Sequence, residues 1–290
     1  MKLENEIGML YIAFGRPYLA MALVSCRSAR ETNPEIPICI ITNVCEKGRM
    51  KHLHGWREGF DVWIYLEIDT PENRNIKTQL YRYTPFDKTL YLDSDTIVVG
   101  DVSRSSIFLN YFDVCLKLNR TEQKKPGRTN TMVLDGNAAI NELPHWNGGV
   151  IFFKNSPEAN HFFDLWHKFY QIHENKYDQV SLVEALFRSD CRILSLDSRW
   201  NYKRKHKFLP VRKNVKILHY VTDRSLRETP RIHDGIIQKI LAASQKIPGG
   251  EIPENVADMK AFFRRINDFR SRGSLIHIIR NEIRKRFGGK

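Results

Sequence analysis

The chain has 290 residues, 42% of them hydrophobic, and carries a formal net charge of +13. This length and composition are typical of a globular protein with a buried core, which excludes the fibrous and intrinsically disordered classes. No apolar run approaches the ~20 residues that cross a bilayer, and the run after Glu6 is predicted to be a strand rather than a signal peptide.

The cysteines and the net charge indicate the cellular compartment and the kind of partner. The five cysteines contain no C-x-x-C pair, so a zinc or redox motif is not expected and a reducing compartment is favoured. With no sign of export, we expect a cytoplasmic protein. The excess of positive charge favours anionic partners such as diphosphates, acidic lipids or nucleic acid.

Apolar strands and helical segments alternate over the first hundred residues. A helix is predicted over Tyr18–Arg30, with Pro17 in its first turn. Apolar runs predict four strands, at Met9–Phe14, Ile36–Thr42, Phe60–Glu67 and Leu90–Leu92. Because strands joined through helices require right-handed crossovers, we expect an α/β fold with a mostly parallel sheet.

The middle of the chain is less regular. Residues Lys117–Pro144 show little periodicity and are predicted to be a loop. Gly148 and Gly149 are expected to form a turn that opens a strand over Val150–Phe153. The remaining predicted elements are a helix from Ser156, a helix around Asp178–Arg188, and strands at Arg192–Leu196 and Val215–Tyr220.

Positive charge is concentrated in the last third of the chain. Residues 260–290 have a net charge of +8, and residues 199–216 contain eight Lys or Arg and no acidic residue. Apolar residues share one face of two short predicted helices: Phe262, Ile266, Phe269, Ile276, Ile279, Ile283 and Phe287. We therefore expect a domain over residues 1–250 and a basic amphipathic helical tail over residues 251–290. The tail either packs on the domain or lies on an anionic membrane surface.

The stretch LYLDSDTIVV places two carboxylates, Asp93 and Asp95, directly after an apolar strand. If the strand continues through them, both side chains lie on the same face and converge. The carboxyl ends of parallel strands form the ligand crevice of an open sheet, and paired carboxylates there suit Mg²⁺ or Mn²⁺. A structural turn, with Asp95 capping a following amide, is an equally good interpretation of the two aspartates alone.

Two other chemistries use a similar acidic pair, and a third alternative rests on the basic charge of the chain. A haloacid-dehalogenase-like phosphatase has D-x-D at a strand end, but its pattern requires Thr or Val at the position occupied by Ile97. A polymerase palm uses acidic pairs for two-metal catalysis, although this chain is too short for the other polymerase domains. A basic, non-catalytic module that binds a membrane or nucleic acid is the third alternative.

Five blocks of sequence, in this order, resemble the family 8 glycosyltransferases, which include glycogenin and the bacterial lipopolysaccharide galactosyltransferases. The blocks are LYLDSDTIVVGDVSRSSIF, WNGGVIFFKNSPEANHFFDLW, KYDQVSLVEALF, LDSRWNY and ILHYVTDRS. The resemblance covers roughly Met9 to Arg224. It implies a GT-A fold, a Rossmann-like, mostly parallel sheet flanked by helices, with residues 1–250 as the nucleotide-sugar glycosyltransferase domain.

The resemblance also implies a metal site. Asp93 and Asp95 match the family's metal-binding D-x-D, and His219 matches the histidine that supplies the third protein ligand. An imidazole among carboxylates favours Mn²⁺ over Mg²⁺, which is the second choice.

Other residues match positions of the family that face the donor sugar. Asp178 and Gln179 match a D-Q pair near the reacting carbon and are the predicted catalytic residues. The predicted donor-binding residues also include Lys77, Ser94, Asn147, Gly148, Gly149, Thr222 and Arg224. Thr222 and Arg224 stand where the family often has a glycine-containing stretch and a lysine, so the diphosphate contact differs here.

The resemblance thus implies a metal-dependent, retaining transfer of a sugar from a nucleotide diphosphate sugar, with a uridine diphosphate sugar as the expected donor. The expected acceptor is a hydroxyl of a glycan or glycolipid, an anionic membrane surface is a further expected contact, and nucleic acid is not an expected partner. Retention in the family is generally explained by attack on the face from which the diphosphate leaves. A covalent intermediate on Asp178 is the open alternative.

Overall fold

The computed structural model describes residues 7–43, 59–68, 73–120, 133–134, 138–139, 143–174, 178–202 and 215–219. The helices are α1 (Arg16–Thr32), α2 (Asn73–Lys77), α3 (Leu80–Tyr83), α4 (Ser105–Tyr111), α5 (Pro157–Ile172) and α6 (Asp178–Arg188). The strands are β1 (Gly8–Ala13), β2 (Ile38–Thr42), β3 (Val62–Tyr65), β4 (Lys88–Leu92), β5 (Thr96–Val98), β6 (Val114–Arg120), β7 (Val133–Leu134), β8 (Ala138–Ala139), β9 (His145–Lys154), β10 (Ile193–Leu196) and β11 (Ile217–His219).

The chain divides into two compact units, Met1–Thr222 and Asp223–Lys290, and every described residue belongs to the first. The predicted tail over residues 251–290, and the predicted donor contacts Thr222 and Arg224, lie outside the described residues. Among the described helices, none is long and apolar enough to span a membrane.

Seven strands form the main sheet, in the order β10-β6-β9-β4-β1-β2-β3. The pairs β1–β2, β2–β3, β1–β4 and β6–β10 are parallel, whereas β9 runs antiparallel to both of its neighbours. Six strands therefore run in one direction and β9 alone runs in the other. The predicted GT-A architecture, with a mostly parallel sheet flanked by helices, is confirmed.

Alternate residues of the central strands enter two different cores, as the period of two in a strand requires. In β1, Met9 and Tyr11 pack in the core on one face, whereas Leu10 and Ile12 pack in the core on the other. Helix α1, β5 and β11 contribute to the first core, and α2, α3, α5 and α6 to the second. Because both faces are covered, these strands consist almost entirely of apolar residues.

The order of the strands places a crevice at the carboxyl ends of β1 and β4. After β1 the chain crosses to β2 and β3 on one side, then returns to β4 on the other side of β1. Such a reversal of strand order is where open α/β sheets bind ligands. Gly15, two residues after the end of β1, has φ 82° and ψ 153°, a conformation essentially restricted to glycine, and this turns the chain into α1.

Several predicted boundaries differ from the structure. The region predicted as a loop over Lys117–Pro144 contains the end of β6 and the short pair β7–β8. The glycines predicted to form a turn before Val150 lie inside β9, which begins at His145. Strand β9 pairs with β6 on both sides of these glycines, at Ile151 and at Asn147, and the register shift between Leu116 and Lys117 falls opposite them.

Candidate active site

Asp93 and Asp95 lie in a tight turn between β4 and β5, not on one continuous strand. The Thr96 hydroxyl donates a hydrogen bond to the main-chain oxygen of Asp93 (2.8 Å) and so closes the turn. The buried Ser94 hydroxyl donates to the main-chain oxygen of Ile12 in β1 (3.0 Å). The predicted convergence of the two carboxylates is therefore produced by a turn, and the strand-parity argument for it is wrong.

His219 is brought to the carboxylates by a strand pair that is distant in sequence. Strand β11 pairs antiparallel with β5, and this register places His219 opposite Thr96. His219 Nε2 lies 3.2 Å from Asp95 Oδ1, and the imidazole is buried. One ligand atom from each of Asp93, Asp95 and His219 lies within 4.8 Å of the other two.

This set of residues fits a divalent first-row cation. Opposite ligands of one such ion are about 4 Å apart, close to the separation of these three atoms. Two carboxylate oxygens and one imidazole nitrogen form a mixed donor set of the kind that suits Mn²⁺. The described residues thus contain the three protein ligands predicted for the metal.

Gly149 of β9 leaves the space that the histidine and the first carboxylate occupy. A Cβ on Gly149 would lie 2.2 Å from His219 Cε1 and 2.8 Å from Asp93 Oδ2. The main-chain oxygen of Gly149 accepts a hydrogen bond from the Asp93 amide (2.9 Å) and so fixes the end of β4. Any other residue at this position would displace the proposed metal ligands.

Lys77, at the end of α2, contacts the carboxylate of Asp93. Its ammonium donates to Asp93 Oδ1 at 2.8 Å, and the Tyr91 hydroxyl donates to that oxygen at 2.7 Å. Burial of the Tyr91 side chain, reinforced by the charge of Asp93, raises the pKa of its hydroxyl well above the usual value. Tyr91 therefore stays protonated and serves as a donor. The structure thus places the predicted donor-binding Lys77 beside the carboxylate pair.

Asp178 begins α6 on the other side of Lys77. Its Oδ2 lies 3.9 Å from Lys77 Nζ, and its Oδ1 lies 3.6 Å from Arg74 Nε. The Trp166 indole donates to the Asp178 main-chain oxygen at 2.9 Å, which holds the start of the helix against α5. Lys77 thus links the Asp93 carboxylate to that of Asp178, and one small region contains these two of the three predicted functional carboxylates.

Gln179 is bound to the main chain of β9. In the orientation that satisfies both ends of its side-chain amide, it donates to the Trp146 oxygen (3.1 Å) and accepts from the Gly148 amide (3.0 Å). A Cβ on Gly148 would lie 3.4 Å from the Gln179 side chain, an ordinary contact distance. The structure therefore gives Gln179 a strand-positioning contact in addition to its predicted place near the sugar.

Asn201 is a buried residue of the site that sequence reasoning did not select. Its side-chain oxygen contacts His219 Nδ1 at 3.0 Å, and its amide nitrogen donates to Asn147 Oδ1 at 2.8 Å. The residue lies in the LDSRWNY block, one of the five that resemble the family, and that block was its signal in the sequence. Tyr91 was likewise counted only as a buried strand residue.

Comparison with known proteins agrees with this geometry. The family model described as glycosyl transferase family 8 matches residues 74–224, just over half of the chain. The matched range contains every residue of the cluster built around Asp93 and His219. Comparison with curated protein sequences gives no match.

Solved structures share the fold at low sequence identity. The galactosyltransferase LgtC, in complex with donor and acceptor sugar analogues, is 15% identical with a TM-score of 0.51 over 80% of this chain and 95% of its own. GlyE from Streptococcus pneumoniae is 19% identical with a TM-score of 0.52, over 81% of this chain and 60% of its own. The bifunctional enzyme WbbM is 14% identical with a TM-score of 0.51.

These findings set aside the phosphatase and the non-catalytic module as explanations of the aspartate pair. The family match spans the D-x-D turn, β9, α6 and the histidine strand in one continuous range, and the sheet has the same GT-A fold as the solved enzymes. The chain belongs to glycosyltransferase family 8 and is a glycosyltransferase.

Proposed function

We propose that this glycosyltransferase moves a sugar, with retention of its anomeric configuration, from a nucleotide diphosphate sugar to a hydroxyl group of a glycan or glycolipid. The proposed donor is a uridine diphosphate sugar and the proposed metal is Mn²⁺. One observation carries the proposal: the ligand atoms of Asp93, Asp95 and His219 converge at the carboxyl edge of the sheet.

A bound Mn²⁺ would supply Lewis-acid stabilisation of the negative charge that develops on the departing diphosphate. Asp93, Asp95 and His219 would hold the ion, and Gly149 leaves room for the Asp93 and His219 side chains. The Lys77 ammonium, 2.8 Å from Asp93, adds a second positive charge on the same side of the sheet. Fixed charges of this kind act strongly because the protein pays no reorganisation cost during the reaction.

We propose that Asp178 interacts with the transferred sugar. Sugar transfer passes through an oxocarbenium-like transition state, in which positive charge develops on the reacting carbon. The Lys77 ammonium lies 2.8 Å from Asp93 Oδ1 and 3.9 Å from Asp178 Oδ2, which supports a role for the Asp178 carboxylate beside the proposed metal ligands. There it would stabilise the sugar cation or orient the sugar, while Gln179 holds β9 in place.

The acceptor hydroxyl is proposed to attack on the face from which the diphosphate departs, with a phosphate oxygen taking its proton. This route explains retention without a second nucleophile. A covalent glycosyl intermediate on Asp178 is the alternative, because its carboxylate lies in the same region. The two routes differ in whether a sugar can be trapped on the protein.

A donor screen tests the proposed function. The full-length protein is incubated with Mn²⁺ or Mg²⁺ and with uridine, guanosine and adenosine diphosphate sugars, and release of the nucleoside diphosphate is measured. We expect release from a uridine diphosphate sugar, faster with Mn²⁺ than with Mg²⁺, and a product of unchanged anomeric configuration by NMR. Inversion of configuration, or release from no donor with either metal, would reject the proposal.

A further inference from the structure

Two buried amide side chains connect the predicted metal histidine to β9. Asn201 is fully buried and Asn147 is 6% exposed. Asn201 contacts His219 Nδ1 at 3.0 Å through Oδ1 and Asn147 Oδ1 at 2.8 Å through Nδ2. Asn147 Oδ1 also lies 3.1 Å from the main-chain nitrogen of Gly149. The four residues form one chain of hydrogen bonds behind the histidine.

The main-chain N–H group of Gly149 determines the direction of every hydrogen bond in this series. The Gly149 amide can only donate, so the atom of Asn147 that it contacts must be the side-chain oxygen. That oxygen can only accept, so Asn201 must turn its NH₂ group toward Asn147. The Asn201 oxygen is then the atom that faces His219, and it can only accept. His219 Nδ1 must therefore carry a proton.

A neutral imidazole has one N–H group, so protonation at Nδ1 leaves the lone pair on Nε2. Nε2 is the nitrogen that lies 3.2 Å from Asp95 Oδ1, on the side of the carboxylate pair. A cation bound between this lone pair and the carboxylate oxygen would attract both atoms. The tautomer set by the asparagines is thus the one that a metal at Asp93 and Asp95 needs.

We propose that Asn201, oriented by Asn147 and the Gly149 amide, is the positioning residue that fixes the His219 tautomer and ring orientation for metal binding. The inference deepens the proposed function and rests on its metal site. Hydrogen bonds to the second nitrogen of a ligating histidine orient the ring, and removing such a partner typically lowers metal affinity about 10- to 100-fold. Asn147 acts here through its side-chain oxygen and not only as part of the strand beside the sugar.

The first test uses the unaltered protein without metal. Long-range ¹⁵N–¹H NMR at pH 8 reports which ring nitrogen of each histidine is protonated, and a His219→Gln variant identifies the signals of His219. We expect a protonated Nδ1. An unprotonated Nδ1 would overturn the inference, whatever the metal affinity of the protein.

The second test measures Mn²⁺ affinity without any donor, from the EPR signal of free Mn²⁺. Asn201→Ala is expected to bind Mn²⁺ about 10- to 100-fold more weakly than the unaltered protein. The matched control is Asn33→Ala, because Asn33 is also a buried asparagine, bonded through its side chain to Gly100 and Val102 instead of the site. Its Mn²⁺ affinity should stay within about 3-fold of the unaltered protein, as for independent sites.

The outcomes separate the inference from the proposed function. If the unaltered protein fails to bind Mn²⁺, the proposed metal site is wrong. If it binds Mn²⁺ and Asn201→Ala binds it equally well, the metal site stands and the positioning role of Asn201 is rejected. Should Asn201→Ala fail to fold, the tautomer measured in the unaltered protein still decides the inference.

Discussion

Gly148 and Gly149 are adjacent residues of one strand, yet their surroundings differ sharply. The position of a Cβ on Gly149 is already occupied by His219 and Asp93, whereas a Cβ on Gly148 meets atoms only at ordinary contact distances of 3.4–3.6 Å. The requirement for glycine is therefore specific to the residue behind the proposed metal ligands. It does not follow from a turn, since both residues are in β9.

This difference gives a matched pair of variants. Gly149→Ala should displace His219 or Asp93 and lower Mn²⁺ affinity at least about 10-fold, since it disturbs the ligands themselves. Gly148→Ala should stay within about 3-fold of the unaltered protein, because its methyl group fits without a close contact. Calorimetric Mn²⁺ titrations of the two variants measure the effect, and equal affinities would contradict the geometry described for Gly149.

Asp178 provides a kinetic prediction. Asp178→Asn preserves the shape of the side chain but removes its charge, which we propose to act mainly as the oxocarbenium-like state develops. Turnover should fall about 100-fold with a small change in the Michaelis constant for the donor, the pattern of an interaction made in the transition state. A changed Michaelis constant with normal turnover would make Asp178 a binding residue instead. Asp164→Asn, at a half-exposed ion pair with Arg82, is the matched control and should leave both constants unchanged.

At the scale of the elements, one buried carboxylate joins three strands of the sheet. Asp113 precedes β6, and its side chain is 2% exposed. It contacts Lys154 Nζ at the end of β9 (2.9 Å) and both the amide nitrogen (2.7 Å) and the guanidinium of Arg192 before β10. Burial tends to raise the pKa of Asp113, but the hydrogen bonds from Arg192 and Lys154 outweigh it and lower the pKa to about 2.

The stability that Asp113 contributes should therefore depend on pH. Because its folded pKa is below the ordinary value of 3.8, the contribution is present above about pH 4 and is lost as pH falls toward 2. The shift corresponds to about 2 kcal/mol, so Asp113→Asn should lower the free energy of unfolding by about that amount at pH 7 and by little at pH 2. Urea unfolding at both pH values measures this; an equal loss at both would refute the ionic explanation. As a control, Asp164→Asn, which removes a half-exposed ion pair, should lower the free energy of unfolding by less than about 1 kcal/mol.

The sequence predicted the elements best where local pattern determines them. Strand β1 is a continuous buried apolar run, and helix α6 has apolar residues at helical spacing. Both elements occur where they were predicted. The extent of β9 was missed because glycines at its centre resemble a turn, whereas β9 pairs with β6 on both sides of them and the Gly149 oxygen accepts a hydrogen bond from the Asp93 amide. Partners that are distant in sequence, not local preference, decided that boundary.

In the site, too, local pattern was visible in the sequence but contacts between distant residues were not. The paired aspartates were visible as a motif, but their geometry comes from a turn closed by Thr96 and anchored to β1 by Ser94. The place of His219 depends on the β5–β11 pairing, which no local pattern reveals, so only the family resemblance connected it to the aspartates. Asn201 was missed for the same reason, because its role exists only through contacts with β9 and β11.

At the scale of the whole molecule, the basic C-terminal region lies outside the described residues and its function remains a prediction from sequence. We expect the amphipathic segment over residues 251–290 to hold the enzyme at anionic membranes, since each cation near such a surface contributes about 1 kcal/mol. A chain ending at Glu254 should stay folded and still hydrolyse the donor, but should no longer sediment with vesicles that contain phosphatidylserine. Equal sedimentation of the two chains would exclude the membrane role, and unfolding of the shorter chain would favour a tail that packs on the domain.

We propose that Asp93, Asp95 and His219 together hold a metal that drives sugar transfer. The most direct measurement is nucleoside diphosphate release from the preferred donor by the unaltered protein and by Asp93→Ala, Asp95→Ala and His219→Ala, each with saturating Mn²⁺. Each variant should remain folded and lose about 100-fold or more in rate, because several kcal/mol of charge stabilisation depend on the metal. A chelator should abolish release by the unaltered protein, and added Mn²⁺ should restore it. Full activity in the presence of the chelator, or in Asp95→Ala, would show that no metal at this site drives the transfer.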